Sequence, residues 1–290
     1  MTFRRDVDLD PGRVRDVRGR RVSGGGLAMG GGLGGILVLV AIVLLSGGNL
    51  GDIVGGLGAA PAEGPVGSQL INECETGADA NERQDCRLVG VIQSLDAYWE
   101  GTFTAAGDAS FVQPAITLFS DSVSTQCGAA TSAVGPFYCP LDQTIYIDLG
   151  FYDQLESQLG AEGGPFAEMY VAAHEYGHHI QNLLGQLEAG RDAGAEGGAV
   201  RTELQADCYA GVWGGNAVDT GFLEPLTQEQ IGQALNAAMV IGDDRIQEQT
   251  QGQVNPETWT HGSAEQRQQW FTIGLEAKDP NACDTVNADL

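Results

Sequence analysis

Residues 169–184 read MYVAAHEYGHHIQNLL, and the fold follows from how this stretch is taken up. Within it, His174-Glu175-Tyr176-Gly177-His178 has the H-E-x-x-H pattern. On a helix the two histidines lie one turn apart, so both imidazoles can grip one metal ion. Glu175 lies about 100° further round, beside the metal's open position, where a carboxylate can take a proton from water. Stepping about 100° per residue from His174 gathers Tyr170, Ala173, Gly177, Ile180 and Leu184 on an apolar side. Val171, His174, Glu175, His178, Gln181 and Asn182 fall on the other. The expectation is an amphipathic helix with its chemistry on the polar face. Pro165 suits its first turn and Gly185 its C-terminal stop. His179 sits near the border and out of ligand register, and is expected as a surface or supporting histidine.

Two histidines do not complete a catalytic zinc site, which usually takes three protein ligands and leaves one position open. His261 is one candidate for the third place, and the carboxylates downstream are the others. Glu203 and Asp207, four residues apart in RTELQAD (201–207), share one face of a helix flanked by Ala199, Ala206 and Ala210. Carboxylates on a face lined with alanine need a positive partner, and a metal would supply it. Glu203 is therefore assigned as third ligand. Asp207 is expected to accept the ring N–H of a ligating histidine and fix its tautomer.

H-E-x-x-H followed by E-x-x-x-D resembles the gluzincin metallopeptidases. The wider set GPFYCP, YIDLGFY, AAHEYGHHIQNLLG, ELQADCYAG and THGSAEQR resembles the bacterial "putative neutral zinc metallopeptidase" family over roughly residues 85–275. The resemblance implies a zincin-like domain with one zinc held by His174, His178 and Glu203, and Glu175 as general base. Thr260-His261-Gly262 with Arg267 is similar to the Thr-His-Pro…Arg element of the membrane-associated gluzincins, with Gly262 in place of the proline. It implies that His261 donates to a tetrahedral oxyanion and that Arg267 pairs with Glu203 or Asp207. The expected activity is hydrolysis of peptide bonds in a peptide or protein substrate. The rivals are a tethered binding domain with a structural zinc, and a zinc hydrolase of non-peptide amides.

Charge and hydropathy divide the 290-residue chain. The first 21 residues hold seven arginines and four aspartates, and the remainder holds 7 basic against 35 acidic residues within a total of −25. So acidic a surface repels nucleic acid and anionic lipid. Residues 22–51 carry no ionisable side chain, and 36–45 (ILVLVAIVLL) are unbroken aliphatic. The reading is a basic cytoplasmic tail (1–26), a single transmembrane helix (27–47) and a Gly/Ala/Pro linker (48–70). The metallopeptidase domain (71–290) follows, outside the cytoplasm. Cys74, Cys86, Cys127, Cys139, Cys208 and Cys283 all follow the apolar stretch, as expected for three disulfides on an exported domain. Fifteen pairings are open, and neighbouring spacing favours 74–86 and 127–139, leaving 208 with 283. Nothing in the chain speaks to oligomeric state.

The remaining pattern predicts a mainly helical α+β domain with a small early sheet. Helices are expected over 81–100, 151–159, 199–213, 227–241 and from 263 onward. The last two open on the capping boxes Thr227/Gln230 and Ser263/Gln266. Strands are expected at AITLF (115–119) and TIYIDL (144–149), the latter with Tyr146 and Asp148 outward and as the edge a substrate would pair with. A constrained turn (135–140) lies between them.

Overall fold

The computed structural model describes residues 2–19, 73–187 and 192–290. The expected transmembrane helix at 27–47 and the linker at 48–70 lie outside these residues. Among the described residues no helix is long and apolar enough to cross a membrane.

The domain is α+β and mainly helical, as the pattern predicts. Helices α1 (Gly77–Glu82) and α2 (Gln84–Ala105) open it, and α2 buries Leu88, Val91, Ile92, Leu95 and Trp99. The strands are β1 (Val14–Asp16), β2 (Ala115–Phe119), the hairpin β3 (Ser122–Thr125) and β4 (Gly128–Thr131), β5 (Phe137–Cys139) and β6 (Thr144–Asp148). Then come α3 (Gly150–Ser157), α4 (Pro165–Leu183), α5 (Gly198–Asn216), α6 (Gln228–Val240), α7 (Asp243–Gln251) and α8 (Ala264–Ala277). Both capping boxes form, with Thr227 heading α6 and Ser263 heading α8. The three disulfides join Cys74 to Cys86, Cys127 to Cys139 and Cys208 to Cys283.

The main sheet runs β1-β2-β6-β5, with β1, β2 and β6 parallel and β5 antiparallel. Three expectations change here. TIYIDL is not an edge: β6 lies between β2 and β5, so Tyr146 and Asp148 are buried along with the rest of the strand. The stretch read as a turn carries β5, whose unpaired side is an edge of the sheet among the described residues. The N-terminal segment is not a tail standing apart from the domain. Its residues 14–16 form the strand on the other edge of the sheet, and Phe3, Leu9 and Val14 are buried. Too few apolar residues, too widely spaced, made it read as polar.

Helix α4 sits at the centre, in contact with α2, α5, α6 and β5. Its amphipathic reading is therefore replaced by burial on nearly every side, including Val171, Glu175 and Gln181. The polar residues face a polar network rather than solvent. Two close approaches fix its neighbours. A Cβ on Gly177 would lie 3.0 Å from the Cα and carbonyl oxygen of Ala206, so α4 and α5 touch backbone to backbone beside the histidines. Across α5, a Cβ on Gly274 of α8 would lie 2.0 Å from the Cys208 carbonyl oxygen.

Candidate metal centre

Helical spacing places His174 and His178 on adjacent turns of α4, and the crossing at Gly177 brings Glu203 of α5 against them. The Nε2 atom of His174 lies 3.1 Å from one Glu203 carboxylate oxygen, and the Nε2 atom of His178 lies 3.5 Å from the other. One donor atom from each residue falls within 4.8 Å of the other two. Two imidazoles and a carboxylate converging on one point form a donor set suited to zinc.

The other ring nitrogens point away and are occupied. His174 Nδ1 donates to Asp207 Oδ1 at 2.8 Å, and His178 Nδ1 donates to Gln181 Oε1 at 2.8 Å. Each bond orients the ring so that Nε2 faces the site, the nitrogen a metal would take on displacing its proton. Gln181, fully buried, is held in turn: its Nε2 donates to the Thr202 carbonyl at 2.7 Å and to Gln205 Oε1 at 2.9 Å. Gln205 then donates to the Cys283 carbonyl at 3.0 Å. Asp207 is clamped by Arg267, at 2.7 Å from Nε and 3.0 Å from Nη2, and accepts the Tyr170 hydroxyl. Of the two partners open to Arg267 from sequence, the structure selects Asp207.

The charges within this cluster are strongly coupled. Burial works against the His174 imidazolium, but the Asp207 and Glu203 carboxylates outweigh it and raise the group to about 10. His178 is also raised, against burial, by Glu203. Burial opposes ionisation of Asp207, yet Arg267 and His174 hold it down to about 2. Glu203 is likewise held well below the carboxylate range by the two histidines despite burial. Glu175 shifts the other way. Burial lifts it, against the pull of both imidazoles. A carboxylate raised in this way is a better proton acceptor than an ordinary glutamate.

His261 lies near enough to Glu203 for each to shift the other's titration, and its side chain is 36% exposed. It is positioned by Asp243. One Asp243 oxygen accepts the backbone N–H groups of Thr260, His261 and Gly262 at 2.7, 2.7 and 3.2 Å, while the other lies 3.3 Å from His261 Nδ1. Thr260 Oγ1 lies 2.9 Å from the same nitrogen. Gly262 adopts φ 90°, which a proline ring cannot, so the departure from the Thr-His-Pro pattern has a backbone cause.

His179 is not on the surface. It is fully buried, donates from Nε2 to the Val112 carbonyl at 2.6 Å, and accepts at Nδ1 from the Tyr138 hydroxyl at 3.0 Å. Asn182 donates to the same hydroxyl at 2.9 Å. This group ties α4 to β5. The residues that sequence reasoning missed are Gln181, Gln205, Tyr170 and Asp243. Gln181 was readable in part, since it follows His178 by three positions on the same helix face.

Comparison with known proteins agrees with this geometry. Residues 4–286 match the family described as "Putative neutral zinc metallopeptidase". The uncharacterized protein Rv2575 of Mycobacterium tuberculosis is 54% identical over 227 residues, covering 75% of this chain and 76% of the relative. The uncharacterized protein YpfJ of Escherichia coli K12 is 40% identical over 290 residues, covering 95% and 96%. No solved structure matches the chain significantly. With the match running over nearly its whole length and through every residue of the His174–His178–Glu203 cluster, the chain belongs to the putative neutral zinc metallopeptidase family.

Proposed function

We propose that the protein is a zinc-dependent metallopeptidase with an exported, membrane-attached domain, with His174, His178 and Glu203 as ligands and Glu175 as general base. The observation that carries this reading is the convergence of two Nε2 atoms and one carboxylate, with both Nδ1 atoms engaged elsewhere. When bound there, zinc supplies Lewis acidity that brings water's pKa toward neutrality and polarises a carbonyl. Glu175 takes the proton from the attacking water and later delivers it to the leaving amine. His261, steadied through Nδ1, offers its other ring nitrogen to the oxyanion. The Asp207–Arg267 pair holds His174 in register. An extended peptide would lie along β5, the antiparallel edge strand beside α4, which the His179–Tyr138–Asn182 bonds lock to the motif helix. Three disulfides support an oxidising compartment for the domain. The apolar stretch 27–47 supports membrane attachment.

Glu175→Gln tests the scheme. The variant should bind one zinc per chain with wild-type affinity, while its cleavage of a peptide library falls by about 10²–10⁴-fold. Zinc-dependent cleavage at the wild-type rate would remove Glu175 from the mechanism. Tight zinc binding by the wild-type chain, with no cleavage of peptides or other amides, would favour a structural site instead.

A further inference from the structure

The N-terminal residues that composition sets apart are bound by the domain as a strand ligand is bound. β1 adds in parallel to β2, with Val14 opposite Ile116 and Asp16 opposite Leu118. Further along, Gly77 N–H donates to the Val7 carbonyl at 2.8 Å and Leu9 N–H donates to the Glu75 carbonyl at 2.9 Å. Asn81 brackets Phe3, accepting its N–H at 3.0 Å and donating to its carbonyl at 2.9 Å. Arg13 grips Asp96 through Nε at 2.9 Å and Nη2 at 3.2 Å, and Arg18 reaches Asp85 at 3.2 Å.

The domain is shaped to receive this arm. A Cβ on Gly90, in the middle of α2, would lie 2.6 Å from the Phe3 ring. A Cβ on Gly77, at the start of α1, would lie 1.9 Å from the Arg4 carbonyl oxygen. Glycine is a poor helix former, and the arm accounts for its use at Gly90. The arm also reaches the motif helix. Asp96, 5% exposed, accepts the Tyr176 hydroxyl at 2.9 Å as well as Arg13. Without Arg13, that buried carboxylate would keep a phenol but lose its counter-charge, a costly arrangement.

Between arm and domain lies the apolar stretch 27–47. A single crossing there would put the two on opposite faces of a bilayer, where none of these contacts could form. We propose that the arm, residues 2–19, is the resident occupant of the groove formed by α1, α2 and the β2 edge, and that arm and domain share one side of the membrane.

Two measurements on the full chain test this. All six native cysteines are in disulfides, so an introduced thiol is unique. Asp6→Cys in the arm and Val254→Cys in the domain, both at exposed positions, are treated with a membrane-impermeant maleimide on intact spheroplasts and again after detergent. The proposal expects both sites to behave alike. Labelling of one before detergent and the other only after it would overturn the proposal. In the second measurement, Asp8→Cys and Thr76→Cys, opposite each other in an antiparallel bridge, should form a disulfide. The arm should then stay on the domain after cleavage at a protease site inserted between residues 48 and 70, unless the sample is reduced. Gly90→Leu, which fills the seat of Phe3, should abolish that cross-link. Release of the arm without reduction, or a cross-linked band at twice the chain mass, would overturn docking within one chain.

Discussion

At the scale of single residues, the cluster is held by hydrogen bonds one step removed from the metal. Gln181 is the clearest case. Replacing it with Leu takes the acceptor from His178 Nδ1 and the Gln181 donor from the Thr202 carbonyl and from Gln205 Oε1. Zinc affinity should fall by about 10–100-fold, read by competition with a chromophoric chelator, while Glu175→Gln in the same assay should leave it unchanged. His179 gives a second residue-scale prediction. Burial depresses its imidazole to about 4 from the ordinary 6.5, against the opposing bond to Val112. The unfolded chain therefore takes up this proton before the folded chain does. The stability that His179 contributes is full above about pH 6.5 and drains away as pH falls toward 4. Urea midpoints of the metal-free protein measured across that window should fall with acidity, and His179→Gln should flatten that part of the slope. Asp207 was readable from sequence because its partner on α5 lies four residues away and the face between them is bare of cations. Gln181 and Asp243 were not assigned their tasks, because each acts on a group that only tertiary packing brings to it.

Among elements, the site depends on how closely α4, α5 and α8 approach. Glycines at the crossings allow that closeness, and the Arg267–Asp207 pair spans the α8–α5 contact. Gly274→Ala would drive a methyl to within 2.0 Å of the Cys208 carbonyl oxygen, a backbone atom that cannot turn aside. Helix α8 must shift, carrying Arg267 off Asp207. A loss of about 1–3 kcal/mol is expected from overpacking, seen as a lower urea midpoint with an unchanged slope, and zinc affinity should drop with it. The same substitution at the exposed Gly101, where a Cβ meets nothing within 4 Å, should not destabilise the protein and serves as the control. Element ends were readable where local chemistry marks them, as with Pro165 and the two capping boxes. Helix α7, which follows the expected end of α6 near 241, was not read. Gly242 stands at its N-cap, where a Cβ would lie 2.4 Å from the backbone nitrogen of Ala264 in α8, so its glycine answers to a contact outside any local window. TIYIDL was read as alternating because Tyr146 and Asp148 are polar at their tips. Inside the sheet, Tyr146 finds Asp142 and Asp148 finds the Asp121 and Gly150 amides, so both can be buried.

On the scale of the whole molecule, two disulfides close short segments of 12 residues and the third closes one of 75. Spacing alone pointed to the three disulfide partners, since two pairs lie 12 residues apart and leave one remainder. What spacing could not convey is that the remainder serves the site. Cys208 follows Asp207 on α5, and the carbonyl of Cys283 holds Gln205, which holds Gln181, which holds His178. The bridge closes a loop of 75 residues that contains α6, α7, His261 and Arg267. In the chain-entropy account such a closure stabilises the fold by about 2–4 kcal/mol, more than a short loop does. The double variant Cys208→Ala/Cys283→Ala should therefore lose about that much stability in urea. It should also lose zinc affinity beyond what Gly274→Ala costs, because it frees the far end of the His178 relay as well as the α8 contact. Alanine at Cys127 and Cys139, a bridge between the hairpin and β5, should lower stability and leave zinc affinity as it was. If both pairs weakened zinc alike, the relay from Cys283 to His178 would carry no special load, and the ligand geometry would rest on global stability alone.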